Sequence, residues 1–288
     1  MDIAIGLPST IPGVTGDEIT EWARRAEARG FSALSTIDRI AYPNLEPLIA
    51  LAAAAAVTQR IKLATTILIA PYRKNNALLA KQAASVQKLS GGRLMLGVAV
   101  GGREADYEVS GADFHTRGNA MDELLPEIKE IWSHSNEASG QSTAIGPDVS
   151  ENPPKLILGG GADVVYKRAA KYGDGYALGG GTPEMFTSAK EGVEAAWEAE
   201  GRDDAPYLGA LAYFSLGERA EENARTNLGD YYHWLGEIAE MIVGSAAKDA
   251  GTAKGYVQAF ADAGCQELFF FPASSDPEQI DMLADAVL

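Results

Sequence analysis

Two runs of three glycines, Gly159–Gly160–Gly161 and Gly179–Gly180–Gly181, each end a short apolar stretch and lead directly into a helix-forming segment. Backbone N–H groups uncovered by glycine and facing a helix N-terminus can cradle a phosphate. One such run would only make a tight turn; two at successive turns point to a phosphate-binding end of the fold. Asp163 counts against this if its carboxylate faces the same space. A third glycine turn, Gly101–Gly102, follows "GVAV" and lets the chain pass close to a flat ligand. Arg103, Glu104 and Asp106 then begin a helix, with acids near its positive end. Tyr42, Tyr72, Tyr107 and Phe114 follow apolar runs, with Tyr213 and Trp234 further along, and as a group suit an apolar pocket for an organic substrate.

Other chemistry-bearing residues are sparse. His115 follows Phe114 near this glycine turn, His134 lies in a polar stretch, and His233 sits in the aromatic "DYYHWLG". The single cysteine, Cys265, precludes an intrachain disulfide, gives no metal-site spacing, and reads as a small buried hydrophobe beside "ELFFF". A lyase or isomerase acting on a phosphorylated metabolite would need lysines or paired carboxylates at strand C-termini. Lys62 and Lys155 instead begin their strands, at the wrong end.

The elements that must position these residues alternate along the chain. Apolar runs at 3–7, 32–36, 62–69, 94–100, 155–159, 175–178, 208–214 and 267–271 read as parallel strands covered on both faces. Between them, Thr15 and Glu18 form a capping box before a helix that Gly30 stops. Leu45, Leu48, Ile49, Ala52 and Ala56 repeat at helical spacing over 45–58; residues 76–89 do the same, and Thr182–Pro183 mark another helix start. The segment 218–263 has room for two or more helices. Eight strands alternating with helices predict an α/β fold, a TIM (β/α)8 barrel spanning 1–288 as one domain. The alternative, a doubly wound open sheet, lacks its glycine fingerprint at the first turn. The stretch 133–154 reads as an insertion between strands 4 and 5, either a lid or a solvated excursion.

Composition narrows the function classes. The 288 residues carry a net charge of −16, which opposes binding to nucleic acid or anionic membrane and leaves a small-molecule substrate. No apolar run is long enough to span a bilayer, and "MDIAIGLPST" lacks the basic start of a signal peptide, so a cytoplasmic location is expected.

The segments 37–97, 89–111 ("LSGGRLMLGVAVGGREADYEVSG"), 114–125 ("FHTRGNAMDELL") and 156–177 ("LILGGGADVVYKRAAKYGDGYA") resemble the bacterial luciferase-like superfamily. Within it, the match is to single-chain oxidoreductases using reduced FMN or the deazaflavin coenzyme F420. The resemblance is strong over 1–180. It implies a TIM-like barrel with the isoalloxazine ring at the strands' C-terminal mouth. Thr65, Thr66 and Ile67 would lie by the ring, with a cis peptide between Thr66 and Ile67. The coenzyme phosphate would lie at Gly159, Gly160, Gly161 and Ala162, near Gly179 and Gly180.

One departure from the family matters. Many relatives have a histidine where this chain has Arg39, beside Asp38. Arginine cannot serve as a general base, but it can stabilise negative charge on the reduced ring or on a substrate oxyanion. These two residues are the catalytic candidates, or else a structural ion pair. Many relatives also carry an acid or aromatic side chain where Gly102 stands. Arg117 and Glu123 join loop to helix.

The implied activity is oxygenation of an organic substrate with reduced FMN, supplied by a separate flavin reductase. The alternative is hydride transfer with F420, whose long anionic tail fits an acidic protein less well unless Arg73–Lys74 form a local basic patch. A noncatalytic flavin carrier is the reading from another class. Relatives commonly form homodimers, and no metal is implied.

Overall fold

The computed structural model describes residues 1–134 and 145–288. Eight parallel strands close into a barrel in chain order: β1 (Asp2–Gly6), β2 (Ala33–Thr36), β3 (Lys62–Ile69), β4 (Leu94–Ala99), β5 (Lys155–Gly159), β6 (Gly175–Leu178), β7 (Tyr207–Phe214) and β8 (Glu267–Pro272). β1 pairs with β2 on one side and β8 on the other, so no edge remains. The eight expected runs all become strands, and their unbroken apolar character follows from burial on both faces.

Alternation along the strands divides the core. Ile3 and Ile5 face the helices while Ala4 faces the barrel interior; on β8, Leu268 and Phe270 point out while Phe269 and Phe271 point in. Inside, small Ala4, Ala33, Ala64 and Ala177 leave the volume that Met95, Leu211, Phe269 and Phe271 fill.

The helices form where their caps allow. Thr15 and Glu18 make the reciprocal capping box, and Gly30 ends that helix at φ 90°. Asn75 caps Asn76–Leu89, and Thr182 with Pro183 opens Pro183–Ala199. The helix Pro47–Val57 departs from expectation in its orientation: Leu48 is buried as expected, but Ile49 is 69% exposed, and Ala50, Leu51, Ala54 and Ala55 are buried instead. A helix apolar all round gives periodicity nothing to select.

The flank 145–154 of the insertion is held by Lys81, which donates to the Gly146 carbonyl, and by Gln87, which donates to that of Asn152. The stretch expected to be either a lid or a solvated excursion centres on residues outside those described. Among the described residues no helix is long and apolar enough to cross a membrane.

Candidate active site

The strands' C-terminal ends open into a cavity of about 520 Å³. Its walls come from turns far apart in sequence: Ile37–Arg39 after β2, Thr66, Ile67 and Ile69 of β3, Ala99–Arg103 after β4, and the glycines after β5 and β6. Leu211 and Tyr213 of β7 complete the interior, while Tyr231, Tyr232 and Trp234 come from the helical segment after β7.

β3 is held in place by hydroxyls. Thr65 Oγ1 donates to the Gly97 carbonyl at 2.7 Å and accepts from Gly97 N–H at 2.9 Å, so its side chain joins β3 to β4 and does not line the cavity. Thr66 Oγ1 shares a 2.7 Å hydrogen bond with Ser35 Oγ on β2. The peptide between Thr66 and Ile67 is cis. Gly97 must be glycine: a Cβ there would stand 2.1 Å from the Thr65 carbonyl oxygen.

The glycine turns behave differently from one another. At Gly161, Gly179 and Gly180 a Cβ would meet no atom within 4 Å, so these backbones stand open at the cavity mouth. Gly160 and Gly180 adopt φ of 135° and 115°, which favours glycine. Gly159 is closed by Ile67 Cδ1, 2.1 Å from the position of a Cβ. Ala162 caps the helix Asp163–Tyr172 and lies outside the cavity lining; Asp163 is exposed beside it.

Asp38 and Arg39 do not pair with each other. Asp38 Oδ2 accepts from Arg73 at 3.0 Å and from Ile69 N–H at 2.9 Å, and Arg73 also bridges to Glu46 at 2.9 Å. Burial pushes the Asp38 carboxyl above its ordinary range, and Arg73 opposes the shift without cancelling it. Arg39 turns the other way. Its guanidinium lies over the rings of Tyr42 at 4.1 Å and Tyr231 at 4.7 Å, and its Nη1 donates to the Tyr231 carbonyl. Its Nε is buried without a partner among the described residues. Consecutive side chains leaving a strand point to opposite sides, which is why the sequence neighbours separate. The expected basic patch also dissolves: Arg73 is engaged by two carboxylates, and Lys74 donates to the Gly111 carbonyl.

Of the six aromatic candidates, Tyr107, Tyr213 and Trp234 line this cavity, and the Tyr107 hydroxyl donates to the Val100 carbonyl. Tyr72 is buried behind it, edge-on to Tyr107 at 5.9 Å. Phe114 packs on Tyr107 and beneath Arg117. Tyr42 lines an adjoining pocket with Tyr72 and donates to Asp230. These turns pack on each other rather than on the barrel mouth.

Sequence reasoning missed Tyr231 and Tyr232, because "DYYHWLG" drew attention to His233. His115, His134 and His233 are exposed and none lines the cavity. The two tyrosines extend an edge-to-face series: Tyr42–Tyr231 at 5.0 Å, Tyr231–Tyr232 at 4.9 Å, Tyr232–Tyr213 at 5.8 Å and Tyr213–Phe271 at 6.3 Å. At the opposite end of the barrel, Lys62 bridges to buried Glu267 at 2.9 Å, away from this mouth.

Known proteins share this fold. An uncharacterized protein of Mycobacterium tuberculosis is 32% identical over 190 residues, covering 56% of this chain and 65% of that protein; the chain thus spans just under two thirds of that relative's length. The F420-dependent glucose-6-phosphate dehydrogenase of Amycolatopsis mediterranei is 27% identical over 300 residues, covering 91% and 90%. Among solved structures, an F420-dependent secondary alcohol dehydrogenase in complex with an F420–acetone adduct shares the fold with TM-score 0.80 at 18% identity, covering 100% of this chain and 98% of that one. The FMN-bound oxygenating constituent of 3,6-diketocamphane monooxygenase from Pseudomonas putida does so with TM-score 0.75 at 15%, covering 100% and 99%. The model of the luciferase-like monooxygenase family matches residues 3–286, and the chain belongs to that family.

Proposed function

We propose that this chain is an oxidoreductase that binds a flavin-type coenzyme in the cavity at the barrel mouth and acts on a small organic substrate. The observation that carries this reading is the open glycine backbone at Gly161, Gly179 and Gly180, beside a wall made by Thr66 and Ile67. A flat ring fits against that wall and the turn at Gly101–Gly102, and a phosphate fits the glycines after β5 and β6. Thr65 and Ala162, outside the lining, act through their neighbours: Thr65 by joining β3 to β4, Ala162 by starting the helix behind the glycines.

When bound, the coenzyme supplies the redox chemistry, and the chain supplies binding, orientation and exclusion of water. Asp38 is a positioning residue that ties the end of β3 to Arg73. Arg39, buried and with no carboxylate partner among the described residues, stabilises negative charge on the reduced ring or on a substrate oxygen.

F420 with hydride transfer is the first reading, supported by the F420-dependent relative that matches 91% of this chain. Reduced FMN with oxygenation, fed by a separate reductase, is the second. It is favoured by the net charge of −16, which opposes a long anionic coenzyme tail. Incubation with each reduced coenzyme, under nitrogen and in air, against a panel of small ketones and alcohols tests both. Substrate-dependent coenzyme oxidation under nitrogen supports hydride transfer; product oxygenation only in air supports the second reading. Binding without turnover in either assay favours the carrier.

A further inference from the structure

Tyr213 and Tyr232 face each other across the cavity rim, one from inside the barrel on β7 and the other from the helical segment crossing the mouth. Their hydroxyls share a hydrogen bond. Two phenols joined by one such bond hold two hydrogens, and the bond uses one. Neither oxygen has a further partner among the described residues. One O–H hydrogen therefore remains for whatever enters the cavity.

Burial decides which. Tyr213 is 7% exposed and packed edge-on against Phe271 and Tyr232. An enclosed donor without an acceptor is costly, so Tyr213 donates to Tyr232 and the Tyr232 hydrogen is the one left over. Accepting that bond makes Tyr232 the more acidic phenol. Burial lifts it to about 12, against which the bond from Tyr213 works, whereas both burial and the bond to Tyr232 raise Tyr213 well above its ordinary value. The rings of Tyr231 and Tyr213 fix the direction of Tyr232.

The surroundings select the chemistry of the acceptor. A carboxylate or phosphate at the pair would call for a charged donor beside it, but Arg39 lies over Tyr42 and Tyr231 and Arg103 by Trp234, and among the described residues neither bonds the Tyr213 or Tyr232 hydroxyl. A lone neutral donor in an aromatic frame matches a neutral oxygen that offers lone pairs and no hydrogen. We infer that the Tyr213–Tyr232 pair recognises a ketone-type carbonyl, with Tyr232 donating to the carbonyl oxygen and Tyr213 holding Tyr232 in place. The inference rests on the cavity being the substrate site of the proposed oxidoreductase, and it holds for either coenzyme, since a ketone can be reduced, formed or oxygenated.

Cyclohexanone and methylenecyclohexane test it, because they share a ring and differ in C=O against C=CH2. Their affinities are measured by ligand-observed NMR with free and coenzyme-loaded protein. The ketone-to-alkene affinity ratio should fall about 3- to 10-fold in Tyr232→Phe, the size of one neutral hydrogen bond. It should fall less in Tyr213→Phe, which leaves the donor but frees its direction. In the wild-type protein alone, the carbonyl-carbon resonance of bound cyclohexanone should move downfield, a readout independent of whether the variants fold. An unchanged ratio in Tyr232→Phe, the absence of a downfield shift, or failure of the wild type to bind either probe overturns the inference. Coenzyme binding is followed separately by ring fluorescence: if it fails while the ratio still depends on Tyr232, the oxidoreductase reading falls and carbonyl recognition stands.

Discussion

Asp38 and Arg39 are joined by a peptide bond, yet they serve opposite sides of the barrel rim: Asp38 bonds Arg73 at 3.0 Å, while Arg39 lies over Tyr42 and Tyr231. One charge is neutralised inside the protein and the other is left facing the cavity. A sequence neighbour is not a structural partner here. Arg39 has no carboxylate partner among the described residues.

Arg73 is expected to be essential to stability. Arg73→Met would leave the Asp38 side chain, 2% exposed, without a cation. Breaking a buried pair costs about 3–5 kcal/mol, which urea denaturation would measure at pH 7. Losing Arg73 raises the folded-state pKa of Asp38 further above its unfolded value. The carboxyl is then favoured in its protonated form, so the deficit should shrink as pH falls from 7 toward about 4. A deficit that stays constant with pH would contradict the assignment.

Two glycines should respond in opposite ways. At Gly161 the space for a side chain is open, so Gly161→Leu should melt near the wild-type temperature and bind coenzyme at least about tenfold more weakly by obstructing the phosphate site. Gly97→Ala places its methyl carbon 2.1 Å from the Thr65 oxygen and should cost about 3 kcal/mol or more. Thermal melts and coenzyme titrations of the two variants check both halves; normal affinity in Gly161→Leu would remove those glycines from the site.

Cys265 should be inert in the folded protein. Burial pushes its thiol up to about 12. At pH 8 the thiolate fraction is then on the order of one in ten thousand, against roughly a quarter in the unfolded chain. A thiol reagent at pH 8 should label the protein only after urea is added, and rapid labelling of the native protein would show that Cys265 is accessible.

The strands and caps were legible because each is a local signal: an unbroken apolar run, a Thr-x-x-Glu box, a glycine stop. The glycine turns at 101–102, 159–161 and 179–180 were legible for the same reason, and all of them line the cavity. Side-chain direction was not legible. Tyr72 and Phe114 sit in the right turns but pack behind the wall, because Tyr107 lies between them and the opening. Tyr231 and Tyr232 reach the mouth from a helical segment whose path over the barrel is set by tertiary packing against Tyr42 and Tyr213 rather than by local sequence. Nor could sequence separate Asp38 from Arg39, since the partner of Asp38 lies 35 residues away.

Arg39 should distinguish the oxidation states of the coenzyme. Arg39→Met keeps most of the stem's packing and removes the charge, so affinity for the reduced coenzyme should drop about tenfold more than affinity for the oxidised form. Equal losses for the two forms would make Arg39 a structural prop of Tyr42 and Tyr231.

The account stands on the cavity being a coenzyme site, and the most direct test is a fluorescence titration of the purified protein with F420 and with FMN, each oxidised and reduced. The account predicts saturable, one-to-one binding of at least one of them, lost or greatly weakened in Gly161→Leu while the fold persists. Absence of binding for both coenzymes in both oxidation states would contradict it.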